Sequence, residues 1–265
     1  MMSGMEQVAD RLAVVTGATG GIGVELVQLL AQQEWQVLCV GRRFQALDAA
    51  CHGSSFDSRL VRVQVDLEEH GAAETVARAA EATGLPVALL VNGAGRGVLR
   101  GFEALGAQEA RSLVDINYRV HVEITSLLMP ALVRSQGRVL NLCSLVGYLP
   151  APQLSLLAAS KTALLNWSVA LRREMRGRVA VTAFCPGVTK TRFLERAGMS
   201  HLGLERRFFS ADPARVAELA LQASAQDKAV AFTSVTDRIV AGLACAIPGR
   251  WLAAAADLVL GRRQT

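Results

Sequence analysis

Tyrosine and lysine are scarce in this chain: Tyr118 and Tyr148 are the only tyrosines, and Lys161, Lys190 and Lys228 the only lysines, among 265 residues. The five cysteines (Cys39, Cys51, Cys143, Cys185 and Cys245) form no CxxC pair and have no metal-ligand spacing, so no metal is expected. Most of them sit inside apolar stretches, where a thiol behaves as a small hydrophobe, and a reducing, cytoplasmic setting follows. The formal charge is +5, yet no run of basic residues interleaved with aromatics exists. Scattered arginines of that kind argue against a nucleic-acid surface. The longest apolar run near the C-terminus, Ile239 to Pro248, is too short to span a bilayer. The first eleven residues carry acids and no apolar core, so no signal peptide is expected there.

Hydrophobic residues make up 51% of the chain and charged ones 19%, which suits a globular domain with a substantial core. Short apolar runs, "LAVVTG", "WQVLCVG", "LVRVQVD", "VALLVNGAG", "GRVLNLCS", "RVAVTAFCPG" and "KAVAFTS", alternate with longer amphipathic stretches such as Gly23 to Gln33 and Ala72 to Ala82. Near-continuous apolar strands are those covered on both faces, so the pattern predicts an α/β fold, a doubly wound parallel sheet of Rossmann type. No linker rich in Pro, Gly or Ser divides the chain, and no repeat recurs. A single domain is expected over residues 1–265, with a core of about 10–232 and a helical extension of about 235–265.

The first strand runs straight into glycines Gly17, Gly21 and Gly23, and a helical pattern follows. A turn in that context lets backbone amides and a helix N-terminus approach a pyrophosphate. The second strand ends in "LCVGRR": Arg42 and Arg43 stand where a ribose-binding carboxylate would otherwise lie. A guanidinium pairs with a 2′-phosphate that a carboxylate would repel, which favours NADP(H) over NAD(H).

With these residues the chain resembles the classical short-chain dehydrogenases/reductases. The glycine turn T-G-x-x-x-G-x-G falls at Thr16 to Gly23, so the resemblance implies that Thr16, Gly17, Gly21, Ile22 and Gly23 hold the cofactor. Asp66 matches the position that touches the adenine. "VNGAG" resembles the family's N-N-A-G, with Asn92, Ala94 and Gly95 retained and Gly93 in place of the second asparagine. "CPGVTKT" resembles the P-G-x-x-x-T loop, which puts Pro186, Gly187, Thr189 and Thr191 against the nicotinamide. In this family a tyrosine passes the proton while a hydride moves, a serine bonds the carbonyl oxygen, and a lysine holds the ribose and lowers the tyrosine pKa. An asparagine completes the relay. The resemblance carries these roles to Ser144, Lys161 and Asn117.

The tyrosine position, thirteen residues after Ser144 and four before Lys161, is Leu157. Leucine has no titratable group and serves as neither acid nor base. Loss of such a group costs roughly 10²–10⁴-fold in rate, or about 3–5.5 kcal/mol of barrier. Three readings remain open. An oxidoreductase can take its proton elsewhere, with Tyr148, Cys143 or His201 as candidates, or act on an iminium carbon, which needs no proton donor. The fold can instead catalyse a non-redox cyclisation, isomerisation or dehydration by positioning alone. A nucleotide-binding protein without catalysis is the third.

The stretch from Phe193 to Ser210 corresponds to the segment that closes over substrate in relatives. Its Phe193, Leu194, Met199, Leu202, Leu204, Phe208 and Phe209 point to an apolar small-molecule ligand or to simple anchoring of the lid, and Arg206 and Arg207 to an acidic group or to solvent. The family assembles as dimers or tetramers, and Gln108 to Arg134 and Leu157 to Arg176 are the segments expected to pair in a homo-oligomer. The last stretch holds two apolar segments split by Pro248 and Gly249. It reads as two helices packed on the domain or on a second subunit, or as a peripheral membrane contact made through Trp251, Arg262 and Arg263.

Overall fold

The computed structural model describes residues 11–204 and 210–260. Its centre is a parallel sheet in the order β3-β2-β1-β4-β5-β6-β7. The strands are β1 (Leu12–Thr16), β2 (Gln36–Gly41), β3 (Leu60–Gln64), β4 (Val87–Asn92), β5 (Arg138–Leu142), β6 (Ala180–Cys185) and β7 (Val230–Phe232). Each coincides with one of the apolar runs. The helices are α1 (Gly21–Gln32), α2 (Gln45–Cys51), α3 (Ala72–Ala82), α4 (Ala107–Val114), α5 (Val120–Arg134), α6 (Ser155–Glu174), α7 (Arg192–Arg196), α8 (Pro213–Ala225), α9 (Val235–Ala246) and α10 (Gly249–Leu260).

The two-residue period of a strand sends alternate side chains to opposite faces, and β1 and β2 obey it. Ala13, Val15, Val37 and Cys39 pack with Leu26, Val27 and Leu30 of α1 and Val216, Ala217 and Ala220 of α8. Leu12, Val14, Leu38 and Val40 pack on the other face with Val76 of α3 and Ile124, Leu128 and Leu132 of α5. Burial on both faces is why these strands carry almost no polar residue. The outer strand β3 is different, because one side faces water: Arg62 pairs there with Asp48 (2.8 Å) and Asp57 (2.7 Å). Charge on an edge strand deters pairing with another chain.

β1 is flanked by β2 on one side and β4 on the other, so the winding reverses between β1 and β4. In an open parallel sheet the crevice above the strand C-termini at that reversal is the binding site. At the opposite, N-terminal edge, Arg11 stacks its guanidinium 4.0 Å from the Trp35 ring centroid and Arg138 lies 6.0 Å from it. The ends of α1, α5 and α8 meet there in a cleft of about 410 Å³, and cations at helix C-termini oppose the negative ends of the helix dipoles.

The C-terminal extension forms two helices, α9 and α10, broken at Pro248–Gly249 as the sequence predicts. α9 buries Ala241 and Ala244, and Val259 and Leu260 at the end of α10 pack against the lid. Among the described residues no helix is long and apolar enough to cross a membrane. Arg262 and Arg263 lie outside the described residues.

Candidate active site

Backbone contact explains the glycine turn. Gly17 has φ +70°, and a Cβ there would lie 2.8 Å from Gly93 O and Ala94 N. At Gly23 an added Cβ would lie within collision distance of the Gly17 carbonyl oxygen, so only glycine lets α1 start so close to the preceding strand. The amides of Gly21, Ile22 and Gly23 open this helix, where no intrahelical acceptor exists. Gly20 caps it without a side chain, and the first turn has no acid. Such an end suits a phosphate group.

Thr16 bolts that turn to the next one. Its Oγ1 donates to Val91 O (3.2 Å) and accepts from the amides of Gly93 (3.0 Å) and Ala94 (3.3 Å). Across the crevice, Thr191 caps α7 by accepting from the Phe193 amide (3.3 Å), and its methyl would meet a Cβ at Gly21 at 2.6 Å. The P-G loop and the glycine turn therefore close on each other. Thr189 donates to Gly187 O (3.2 Å). Asp237 of α9 lies against Gly187, where a Cβ would meet its carboxylate at 2.6 Å. No motif signals that contact, which comes from the C-terminal extension.

Past the end of β2, Arg42 pairs with Asp66 (3.4 Å) on the surface, and Arg43 is exposed. Asp66 also accepts from the Glu68 amide (3.1 Å). Asn92 departs from its expected place at the cofactor. It is fully buried, donating to Thr125 Oγ1 (2.9 Å) and Asn141 Oδ1 (2.8 Å), while Asn141 donates to Ser168 Oγ (2.7 Å). Its amide braces β4 against β5 and two helices, so its influence reaches the crevice through the Gly93–Gly95 turn.

Asn117 occupies a π-helical turn, Asp115–Arg119, within the otherwise continuous stretch from Ala107 to Arg134. Insertions of that kind gather at functional positions. The Asn117 Oδ1 accepts from the Arg96 amide (3.2 Å), and its Nδ2 donates to Arg96 O and Leu113 O (2.8 Å each). One point joins it to the lysine: a Cβ at Gly95 would lie 2.7 Å from Asn117 Oδ1 and 3.6 Å from Lys161 Nζ. Lys161 is buried and donates to Leu142 O (2.7 Å), two residues before Ser144. Desolvation lowers its pKa, opposed by the neighbouring thiols of Cys143 and Cys185. Ser144 opens the short helix Leu145–Tyr148, accepts from the Val146 amide (3.2 Å), and so sits at the turn that α6 covers. The structure thus brings Asn117, Lys161 and the Ser144 turn to one end of the crevice.

Leu157 lies one helical turn before Lys161, in a second environment. It is buried with Leu154 and Ala158 of its own helix and with Ala197, Met199, Leu202 and Leu204 of the lid; Val146, Phe193 and Leu194 pack on the same cluster. A Cβ at Gly97 would meet Leu157 Cδ2 and Phe193 Cζ at 3.2 Å each. Apolar contacts surround the Leu157 side chain on these sides.

The expected substitute donors sit elsewhere. Tyr148 packs its ring on Phe232 (centroids 5.9 Å) in a separate cluster with Cys143, Leu164, Leu165 and Cys185. Burial raises its pKa, and the Cys185 side chain adds to that. It is therefore held protonated in that cluster, where an aromatic ring completes the packing over β6 and β7. Cys143 is buried on that side too, hydrogen-bonded with Cys185, and that bond together with burial keeps Cys185 protonated. His201 is exposed on the lid. Arg206, Arg207, Phe208 and Phe209 lie outside the described residues.

One buried titratable group was not signalled by any motif. His121, one turn after Asn117, has no solvent exposure, and its Nε2 lies 2.9 Å from Ala94 O. Desolvation, and then the charge of Lys161, hold its pKa down at about 3. The imidazole is therefore neutral and donates to the Ala94 carbonyl, behind the nucleotide turn. The only hint in the sequence is a histidine inside the apolar helix "NYRVHVEI".

Comparison with known proteins agrees with this geometry. The family model for short chain dehydrogenase matches residues 11–200. A ketoacyl reductase, HetN, of Nostoc sp. is 27% identical over 199 residues, covering 74% of this chain and 68% of that protein. A serine 3-dehydrogenase of Agrobacterium fabrum is 27% identical over 217 residues, covering 78% and 84%. Among solved structures, a short-chain dehydrogenase from Sphingobium yanoikuyae in complex with NADPH superposes with a TM-score of 0.77 at 23% identity, covering 90% of this chain and 96% of that one. A short-chain dehydrogenase from Streptomyces avermitilis gives 0.78 at 22% identity, covering 91% and 94%. The glycine turn, the sheet order and the match over most of the chain agree: this protein belongs to the short chain dehydrogenase family.

Proposed function

We propose that this protein is an NADP(H)-dependent oxidoreductase whose substrate carbon accepts hydride without a tyrosine proton donor. The observation that carries the reading is Leu157, sealed among lid side chains while Lys161 and Asn117 keep their places at the crevice. Bound NADPH supplies the hydride. The uncapped start of α1 and the glycines that a Cβ would clash with fit its pyrophosphate. Arg42, paired with Asp66, and the exposed Arg43 favour the 2′-phosphate. Lys161 is placed to bond a ribose hydroxyl, exchanging its present bond with Leu142 O.

A carbonyl reduced in this site would leave an alkoxide that nothing at position 157 protonates. An iminium carbon is already electrophilic, and one hydride converts it to the neutral amine with no proton required. The apolar cluster around Leu157 then shapes the pocket and excludes water, while the Ser144 hydroxyl orients a polar end of the substrate. We also propose that the chain pairs with itself through α4, α5 and α6, whose outer faces carry exposed Val114, Leu127 and Val169.

The test is a titration of the purified protein with NADPH and NADH, followed by nucleotide fluorescence, and then turnover of a cyclic iminium. Tight NADPH binding, weaker NADH binding and one NADPH consumed per amine formed support the reading. Product formed without NADPH consumption assigns the site to a non-redox rearrangement. Absence of nucleotide binding overturns the redox assignment altogether.

A further inference from the structure

The C-terminal helices bury little and leave most of their large side chains in water. Val235 is 75% exposed, Ile239 56%, Leu243 57%, Trp251 60% and Leu258 61%. In α9, Val235, Ile239 and Leu243 follow at steps of four, so they form one stripe. The opposite side of α9 carries Ala241 and Ala244, both buried, and Asp237, which faces Gly187. In α10, Trp251 and Leu258 face outward, while Val259 and Leu260 pack against the lid cluster that contains Leu157. So many large apolar side chains left in water along two successive helices mark a surface that something covers.

Charge decides between the candidates. The outward ionised groups of these helices are Arg238, Arg250 and Asp257. Arg250 also lies over the Trp251 ring, 5.5 Å from its centroid. The chain as a whole carries +5. A second copy would bring the same excess of cations to the contact. An anionic lipid surface instead offers apolar depth for the stripe, an interfacial layer for tryptophan and phosphate for the arginines.

We propose that α9 and α10 dock this protein onto anionic membranes as a peripheral, non-spanning contact. Leu260 ends that surface at the lid, so the contact holds the lid side of the crevice near the lipid. Read with the proposed apolar substrate, this gives such a substrate a short path from the bilayer. The membrane contact itself stands without that reading.

The experiment uses the full chain and vesicles of phosphatidylcholine, with or without phosphatidylglycerol. We expect cosedimentation with the anionic vesicles, weakened by salt, and a blue shift of the Trp251 emission that the Trp251→Phe variant lacks. Ile239→Ser with Leu243→Ser should lower the partition more than tenfold. It should leave the melting temperature and the far-ultraviolet dichroism unchanged, because both side chains are exposed. Arg238→Gln and Arg250→Gln should each weaken binding to the anionic vesicles roughly fivefold. Failure of the parent chain to sediment with anionic vesicles overturns the proposal. So does a solution dimer that Ile239→Ser with Leu243→Ser converts to monomer without any vesicle binding, since the stripe would then belong to a second copy.

Discussion

Replacing Leu157 by tyrosine supplies the proton donor that the proposed function takes to be absent from this site. A tyrosine on the first turns of α6 lies one helical turn from Lys161, on the same face, as a proton donor must if the ammonium is to lower its pKa. A positioned general acid contributes roughly 10²–10⁴-fold, or about 3–5.5 kcal/mol of barrier. The ring must enter a cluster where Gly97 and Phe193 already approach the leucine closely. Overpacking of that kind costs about 1–3 kcal/mol, which a fold stable by about 5–15 kcal/mol tolerates. The expected variant therefore melts a few degrees lower and reduces simple ketones about 10²–10⁴ times faster than the parent, read as NADPH oxidation. Its ketone rate should also acquire a pH dependence, falling as the new phenol loses its proton. A variant that folds, binds NADPH like the parent and gains nothing on ketones would refute the reasoning, since the Leu157 position would then not face the reacting carbon.

Further outcomes follow from other parts of the site. Leu157→Ala opens a cavity among the lid residues and should lower stability by about 2–5 kcal/mol, measured by denaturant unfolding. Gly23→Ala forces the start of α1 off the Gly17 carbonyl and should abolish NADPH binding in a fluorescence titration while lowering the melting temperature. Arg42→Gln with Arg43→Gln should weaken NADPH binding at least tenfold and leave NADH binding nearly unchanged. Stability should barely move, because an exposed pair such as Arg42–Asp66 is worth only about 0–1 kcal/mol. His121 is neutral when folded, with a pKa of about 3 against an unfolded value of 6.5. Above pH 6.5 it contributes no pH dependence. Below that, the unfolded chain takes up the proton first, so stability falls by about 1.4 kcal/mol per pH unit until the pH nears 3. Urea unfolding between pH 6.5 and 5 should show this slope in the parent, and a shallower one in His121→Gln.

Much of the fold was legible because its strands are buried on both faces and its turns need glycine. The apolar runs became the seven strands, Ala72 to Ala82 became α3 without adjustment, and the break at Pro248–Gly249 separates α9 from α10. The spacing from Ser144 and Lys161 points to Leu157 as the tyrosine position, and the proposed function rests on that reading. What escaped has a physical reason in each case. The π turn at Asn117 leaves the helical period almost intact, so the sequence reads as one helix from Gln108 to Arg134. Asn92 was expected at the cofactor, but its partners Thr125, Asn141 and Ser168 are far apart in sequence, and only the sheet brings them together. Tyr148 resembled a donor because it follows Ser144 by four residues, yet Phe232 from the last strand claims its ring. Asp237 touches Gly187 from an extension that no motif describes.

The proposed hydride transfer without a proton donor can be put to one comparison. The parent protein is given NADPH with a cyclic iminium and, separately, with the matching ketone, and NADPH loss and product are followed together. One NADPH consumed per amine and a ketone rate lower by at least about a hundredfold are expected. Equal rates on the two substrates would contradict the proposal and would mean that another group delivers the proton past Leu157.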